Sequence, residues 1–234
     1  MTMRLKGPGL ALGAAFVLAL LAVLAVCELA PPARADAGVE GPGPQALMDR
    51  ISKDLFQALD ANRAAIRKDS EQAYPIIDRI LLPHFDVDFA AQRVLAQHWR
   101  SATPEQRQRF IAALYSALRR SYGGAIADFT ADRLKLLPFR GDPAATQAMV
   151  HTLVRRSSGT EVHVDYHLRK TADGWKADDV IIEGLSYVRT FQSDLGGEIS
   201  KKGLEAVIAR LEREGLDAKV PLAGTAAAAT RHER

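Results

Sequence analysis

PHFDVDFAAQRVLAQHWRSATPEQRQRFIAALYSALRRSYGGAIADFT, residues 83–130, decides how this chain folds. Its apolar positions recur every three or four residues, which gathers side chains on one face of an α-helix. Asp86 stands where it can cap a helix starting at Val87, with Phe89, Val94 and Leu95 turned inward. Thr103-Pro104-Glu105-Gln106 joins an N-cap threonine, a first-turn proline and a glutamine at the third helical position. That is a capping box with a proline start. The helix that follows carries Phe110, Ile111, Leu114, Tyr115, Leu118, Tyr122, Ile126 and Phe129. The stripe is wider than a coiled-coil seam, so it predicts a broad partner surface. Gly123-Gly124 interrupts the stripe at about 1 kcal/mol per glycine relative to alanine. The pair marks either a kink or close helix contact, or a thinned wall beside a ligand.

Working outward, Pro44 suits a first helical position, and Leu47, Ile51, Leu55, Leu59 and Ile66 follow at helical spacing. A short helix is predicted over Glu71 to Leu82, with Pro75 near its start and Pro83 ending it. After Thr130 the period changes from 3.6 to 2. RLKLLPFR, TQAMVHTLVRRS, TEVHVDYHLRKT and GWKADDVIIEG read as four strands, with turns at Ser157-Ser158-Gly159 and Ala172-Asp173-Gly174. In the third strand Val162, Val164, Tyr166 and Leu168 share one face, and His163, Asp165, His167 and Arg169 the other. A last helical stretch runs from Ser186 to about Glu214, with breaks expected near Gly196-Gly197 and Gly203. Successive strands between helical blocks predict an α+β fold: an antiparallel four-stranded twisted sheet covered on one face by about five to seven helices.

The chain ends set the expected compartment. Arg4 and Lys6 precede an apolar run from Leu10 to Val26, and Ala33-Arg34-Ala35 follows. This pattern predicts a secretory signal peptide over residues 1–35, cleaved after Ala35, in preference to a tilted membrane anchor. Cys27 has Val26 where a lipid-attachment site needs a small residue. Residues 36–43 then form a lead-in, 44–215 a single domain and 216–234 an aperiodic tail expected to be disordered. Cleavage removes Arg4, Lys6, Arg34 and Glu28, so 31 basic and 28 acidic side chains fall to 28 and 27, a formal charge of +1. Neither a nucleic-acid partner nor cysteine chemistry is expected of the mature chain.

Two constellations are candidates for chemistry. His163, Asp165 and His167 point one way, but alternate strand residues lie ~7 Å apart, so one ion reaches both histidines only across a bulge. A solvated strand face is the plainer reading, and no metal site is expected. Asp178, Asp179 and Glu183 cluster near the end of the fourth strand, where paired carboxylates can do acid–base work. Alternation would send Asp178 and Asp179 to opposite faces. G-x-S-x-G, HExxH and a phosphate-cradling glycine loop are all missing from the sequence, so no catalytic residue and no cofactor are expected. An exported enzyme using Asp179, Glu183 or His163 stays open as an alternative, since a fold does not dictate a function. An adaptor that only binds protein partners is another. Arg93, Arg100, Arg107, Arg109, Arg119 and Arg120 read as a solvated face, or as a surface for anionic lipid. Trp99, Tyr115, Tyr122 and Trp175 suit either a core or the mouth of a half-wet cavity.

Three details carry a resemblance when taken in order: TPEQR with its SYG continuation, GWK-x-x-DVI-x-EG, and SYVRTFQS. Over roughly Leu47 to Leu211 the chain resembles the MlaC family of periplasmic phospholipid carriers, also called toluene-tolerance auxiliary proteins. A hopanoid-associated branch resembles the same pattern. The resemblance implies helices packed on a twisted sheet around an apolar cavity, with phospholipid as cargo rather than cofactor. It implies an inner-membrane ABC transporter complex with a lipid-binding ring subunit as one partner. The other is an outer-membrane lipoprotein beside a porin. The implied function is to shuttle phospholipid between these complexes and maintain outer-membrane lipid asymmetry. On this reading Phe89, Leu95, Leu114, Leu118, Tyr122, Val150, Val164, Tyr166, Val180 and Val188 are expected to surround the lipid tails.

Overall fold

The computed structural model describes residues 43–127, 130–142, 144–156 and 159–216. The expected signal peptide with Cys27, the lead-in before Gly43, Phe129, the Ser157-Ser158 turn and the tail beyond Leu216 lie outside the described residues, as does the side chain of Ile126. Among the described residues, no helix is long and apolar enough to cross a membrane.

Pro44 opens α1 (Pro44–Ala61), and the expected stripe of Leu47, Ile51, Leu55 and Leu59 is buried along it. Asn62 separates α1 from α2 (Arg63–Lys68), which buries Ile66. The single helix expected over Glu71 to Leu82 is instead three pieces. A 3-10 turn at Ser70–Ala73 is capped by the Asp69 carboxylate, then comes α3 (Tyr74–Ile80), then a second 3-10 turn at Leu82–His84. Each of the last two carries a proline at its start, where a missing N–H does no harm but the preceding turn cannot continue.

Asp86 caps α4 (Val87–Leu95) by accepting from the Phe89 N–H at 3.1 Å. A short α5 (His98–Ser101) leads into α6 (Pro104–Ala127). The capping box at the start of α6 is reciprocal. The Thr103 N–H donates to Gln106 Oε1 at 3.1 Å, and the Gln106 N–H donates to Thr103 Oγ1 at 3.2 Å.

The sheet is an antiparallel meander of β1 (Leu134–Leu136), β2 (Gln147–Arg155), β3 (Glu161–Thr171), β4 (Gly174–Ile182) and β5 (Leu185–Ser186), in that order. It has five strands where four were expected. The added strand is two residues long, too short to show a period. It folds back through Glu183 and Gly184, whose φ values of 49° and 80° are those of a tight hairpin turn. α7 (Tyr187–Lys202) and α8 (Leu204–Glu214) complete the chain. α7 runs unbroken through Gly196-Gly197, held by buried Leu195 and Ile199 on either side. The break falls only at Gly203, where φ is 83°.

One irregularity shapes the sheet. His167 pairs with Asp179 but Leu168 pairs with Ala177, so Asp178 is an extra residue on β4. Such a bulge shifts the alternation by one. Ala177 and then Val180 and Ile182 thereby lie opposite Leu168, Tyr166 and Val164 on the helix-covered side. Asp178 and Asp179 do not alternate as expected: both line a groove on the other face, and Asp179 also borders the helix-covered side.

The buried side chains form three clusters rather than one. The largest joins α4, α6, α7 and α8 to β3 and the end of β4. A second packs α1 on β2, β3 and the start of β4. The third lies among α1, α2 and α3. A domain of this size ordinarily has one contiguous core. What lies between the clusters accounts for the division.

Candidate functional site

Between the three clusters lies an apolar cavity of about 380 Å³, within the range of ligand-binding pockets. Met48, Ile51 and Leu55 of α1 and Ile77 of α3 form one wall; Ala90 and Val94 of α4 form another. Leu114, Leu118 and Tyr122 of α6, with Tyr187, Val188 and Phe191 of α7, form a third. Val154 of β2, Val164 and Tyr166 of β3 and Val180 and Ile182 of β4 make its floor. Leu82, 36% exposed, lines it together with Ser52 and His84. Burial, then the nearby charges of Arg50 and Lys176, hold the His84 imidazole below its ordinary pKa, which favours its neutral form.

Seven of the ten residues expected around the tails line this cavity: Leu114, Leu118, Tyr122, Val164, Tyr166, Val180 and Val188. The other three are placed elsewhere. Phe89 lies on the opposite side of α4, under the Arg169 guanidinium at 4.3 Å from its ring centre. The buried stripe of α4 is Ala90, Ala91, Val94 and Leu95, and Phe89 falls off it despite its size. Leu95 is fully buried in the largest cluster, and Val150 is sealed in the cluster between α1 and the sheet. Sequence reasoning missed the α1 wall, whose stripe was read as ordinary core, and the segment Leu81, Leu82 and Phe85 around Pro83.

Besides Ser52, His84 and Asp179, the polar groups of the cavity sit on α6 and its neighbours. Tyr115 O–H donates to Asp78 Oδ1, and Arg119 Nη1 reaches Asp78 Oδ2 at 2.7 Å. Arg119 also lies over the Tyr74 ring, 5.0 Å from its centre. Gly123 is where α6 meets that ring: a Cβ there would stand 2.6 Å from Tyr74. α6 continues through Gly123-Gly124; Gly123 alone makes a close helix contact, and it also lines the cavity. Tyr122, Tyr187 and Phe191 stack edge to face at 6.1 and 5.8 Å. Burial pushes the phenols of Tyr122 and Tyr187 up, and that of Tyr166 up to about 12 with help from the Asp165 carboxylate. All three are neutral donors at neutral pH.

The other face of the sheet carries a polar groove of about 570 Å³, lined in part by Phe89, Arg93, His167, Arg169, Asp178 and Asp179. Its carboxylates are already engaged. Asp179 accepts from Ser186 Oγ at 2.6 Å and from the Val188 N–H at 3.1 Å, anchoring the start of α7. Asp178 meets His167 Nδ1 at 2.5 Å, and Arg93 lies within 3.7 Å of both acids. Glu183 accepts from the His163 N–H at 2.6 Å, and Asp165 pairs with His151. His163, Asp165 and His167 therefore have separate partners. Among the described residues, no group of three or more His, Cys, Asp or Glu is placed to hold a metal ion. Most of the arginines singled out from sequence tie elements together. Arg109 bridges to Glu205 and Glu212 of α8, Arg120 donates to the Leu211 carbonyl, and Arg107 to the Trp99 carbonyl. Trp99 packs beside the largest cluster and Trp175 inside the second.

Fold and cavity together define a helix-covered antiparallel sheet built around an apolar hollow. The chain belongs to the MlaC protein family, whose family model matches residues 49–213. It is similar to the Haemophilus influenzae intermembrane phospholipid transport system binding protein MlaC, 21% identical over 73% of this chain and 81% of that one. It is also similar to the Pseudomonas putida toluene tolerance protein ttg2D, 26% identical over 68% of this chain and 74% of that one. A phospholipid-binding protein from Ralstonia solanacearum, solved in complex with a phospholipid, superposes with a TM-score of 0.66 at 26% identity. That match covers 73% of this chain and 99% of the other. The Haemophilus influenzae and Ralstonia solanacearum relatives are lipid-binding or lipid-transport proteins by name, which agrees with a non-enzymatic role.

Proposed function

We propose that this chain is a periplasmic phospholipid carrier, exported by a signal peptide cleaved after Ala35. It shuttles lipid between an inner-membrane ABC transporter complex with a lipid-binding ring subunit and an outer-membrane lipoprotein beside a porin, and so maintains outer-membrane lipid asymmetry. The observation that carries the reading is the division of the core into three clusters around an apolar hollow. A chain selected for stability alone would close that space, because each buried methylene is worth about 0.8 kcal/mol. Phospholipid is the cargo and no cofactor is required.

The chemistry is physical rather than covalent. Two ordinary acyl chains are worth on the order of 20–25 kcal/mol of apolar burial, so a lipid does not cross water alone at a useful rate. A cavity that offers comparable apolar contact makes transfer between membrane partners nearly isoenergetic, and the direction of net flow is set by the partners. Leu114, Leu118, Tyr122, Val164, Tyr166, Val180 and Val188 hold the tails. Against the enzyme alternative, two of its three candidates already serve structure: Asp179 accepts from Ser186 and the Val188 N–H, and Glu183 from the His163 N–H.

Purification of the mature protein under native conditions, followed by lipid analysis, tests the reading. Stoichiometric phospholipid is expected; a protein that elutes lipid-free and takes none from vesicles removes it. Val164→Trp fills the floor of the cavity and is expected to lower loading at least tenfold, with about 1 kcal/mol lost in chemical unfolding.

A further inference from the structure

The polar groove on the outer face of the sheet sorts its charges by depth. Asp178 and Asp179 are buried, and Asp86 sits behind Arg169 with its side chain 14% exposed. All three carboxylates are engaged within the fold, by His167, Ser186, Arg169 and the Val188 and Phe89 N–H groups. The cations stand in front of them. Arg93, its side chain 33% exposed, lies 3.6 and 3.7 Å from Asp178 and Asp179, too far for hydrogen bonds, so its donors stay available. Arg189 is exposed and makes no ion pair among the described residues. Arg169 and Lys170 line the same groove. A visitor therefore meets positive charge first and finds the acids already taken.

These cations are spread along the groove. Arg169 and Lys170 lie near the end of β3, while Arg189 follows the Ser186 cap of α7, and Ser186 pairs with Ile181. Ile181 stands opposite Asp165, which is five residues along β3 from Lys170. At ~3.4 Å per residue the two ends are about 17 Å apart. Between them the lining turns apolar at Met149, Ile181 and Phe89. One small anion does not span that distance, and a flat bilayer surface does not enter a concave groove. An extended peptide of about five residues spans it, and its period of two turns an acid to each end and an apolar side chain to the middle. We infer that the groove docks an acidic, extended segment of a partner protein, with carboxylates on Arg189 at one end and beside Arg169 and Lys170 at the other. The site faces away from the lipid cavity and does not depend on what the cavity carries.

The test varies the spacing of charge in the probe. Fluorescein-labelled peptides of serine and leucine carry two glutamates set two, four or six residues apart, and binding to the mature protein is read by fluorescence anisotropy at low salt. The two wider spacings reach about 14–20 Å and are expected to bind roughly fivefold tighter than the narrow one, which reaches about 7 Å. Arg189→Glu and Lys170→Glu are each expected to bring the wide-spaced peptides down to the narrow one, as is raising the salt to about 300 mM with the wild type. Both side chains are exposed, so neither change is expected to alter unfolding or lipid loading, which keeps this test apart from that of the carrier reading. Equal binding at all spacings overturns the docking site, as does an Arg189→Glu protein that binds as tightly as wild type, or a wild type that binds none of the peptides. Inorganic phosphate that displaces the peptide at the peptide's own concentration overturns it in favour of a small-anion site. Binding to phosphatidylglycerol vesicles but to no peptide overturns it in favour of a membrane face.

Discussion

On one side of the sheet, Asp178 and Asp179 are 1% and 4% exposed, and their carboxylates meet His167, Arg93, Ser186 and the Val188 N–H. On the other side, Val164, Tyr166 and Val180 are directed at open space, and Tyr122 has a hydroxyl with no partner among the described residues. The usual order is reversed. Polar groups are the better packed set here, and apolar groups the worse. The outer face acts as the frame: Arg93 ties α4 and Asp179 ties α7 to β4, so two cavity walls are held from behind without crossing the hollow. A carrier needs that arrangement, because stability drawn from its interior would vanish each time the cargo left.

The largest break in this picture would come from the frame. Asp179→Ala removes the buried acceptor of the Ser186 hydroxyl and the Val188 N–H and one of the two carboxylates beside Arg93, and is expected to cost about 4 kcal/mol in chemical unfolding. A loss under 1 kcal/mol would mean the walls are held from within after all. Next come two leucines on opposite sides of the contrast. Leu168 is fully buried in the solid cluster under α1, so Leu168→Ala is expected to cost about 3 kcal/mol. Leu118, part-buried and facing the hollow, is expected to cost about 1 kcal/mol on the same change. Equal costs would place Leu118 in a filled core.

The frame and the hollow were unequally legible in the sequence. The Thr103–Gln106 capping box and the alternation of β3 could be read directly, because local backbone needs dictate those residue types. The bulge at Asp178 could not, since one extra residue shifts the pairing of β4 without any change in composition. Asp178 followed by Asp179 inside an apolar strand was the available signal: strict alternation would have buried one carboxylate among valines. The cavity was legible only as a list of apolar positions. Val150 and Val164 have the same hydrophobicity, and only the packed fold sets one against α1 and the other against space. Phe89 misled through size, since an aromatic on an amphipathic helix is readily assumed to point inward, and here Arg169 covers it.

Alkaline pH probes the hollow side alone. The Tyr166 phenol is held up to about 12 against an ordinary value near 10, so the folded state keeps a proton that the unfolded state releases. Its stabilisation is complete below pH 10 and is lost as pH rises from 10 to 12. Unfolding free energy is expected to fall across that window, on the order of 2 kcal/mol less steeply in Tyr166→Phe. Identical profiles for the two proteins would mean that Tyr166 is solvated like a surface tyrosine.

The smallest effect offers the finest cut, because it compares adjacent residues. Gly123 and Gly124 both sit inside α6, where alanine is preferred by about 1 kcal/mol. A Cβ on Gly124 meets nothing within 4 Å, so Gly124→Ala is expected to stabilise by about 0.5–1 kcal/mol. A Cβ on Gly123 would come within 2.6 Å of the Tyr74 ring, and that ring is fixed under Arg119. Gly123→Ala must push α3 away from α6, and is expected to cost about 1–2 kcal/mol despite the better helix former. If both changes stabilise, Tyr74 can swing aside and the wall between α3 and α6 is soft. If they differ in sign, Gly123 marks a rigid seam between α3 and α6.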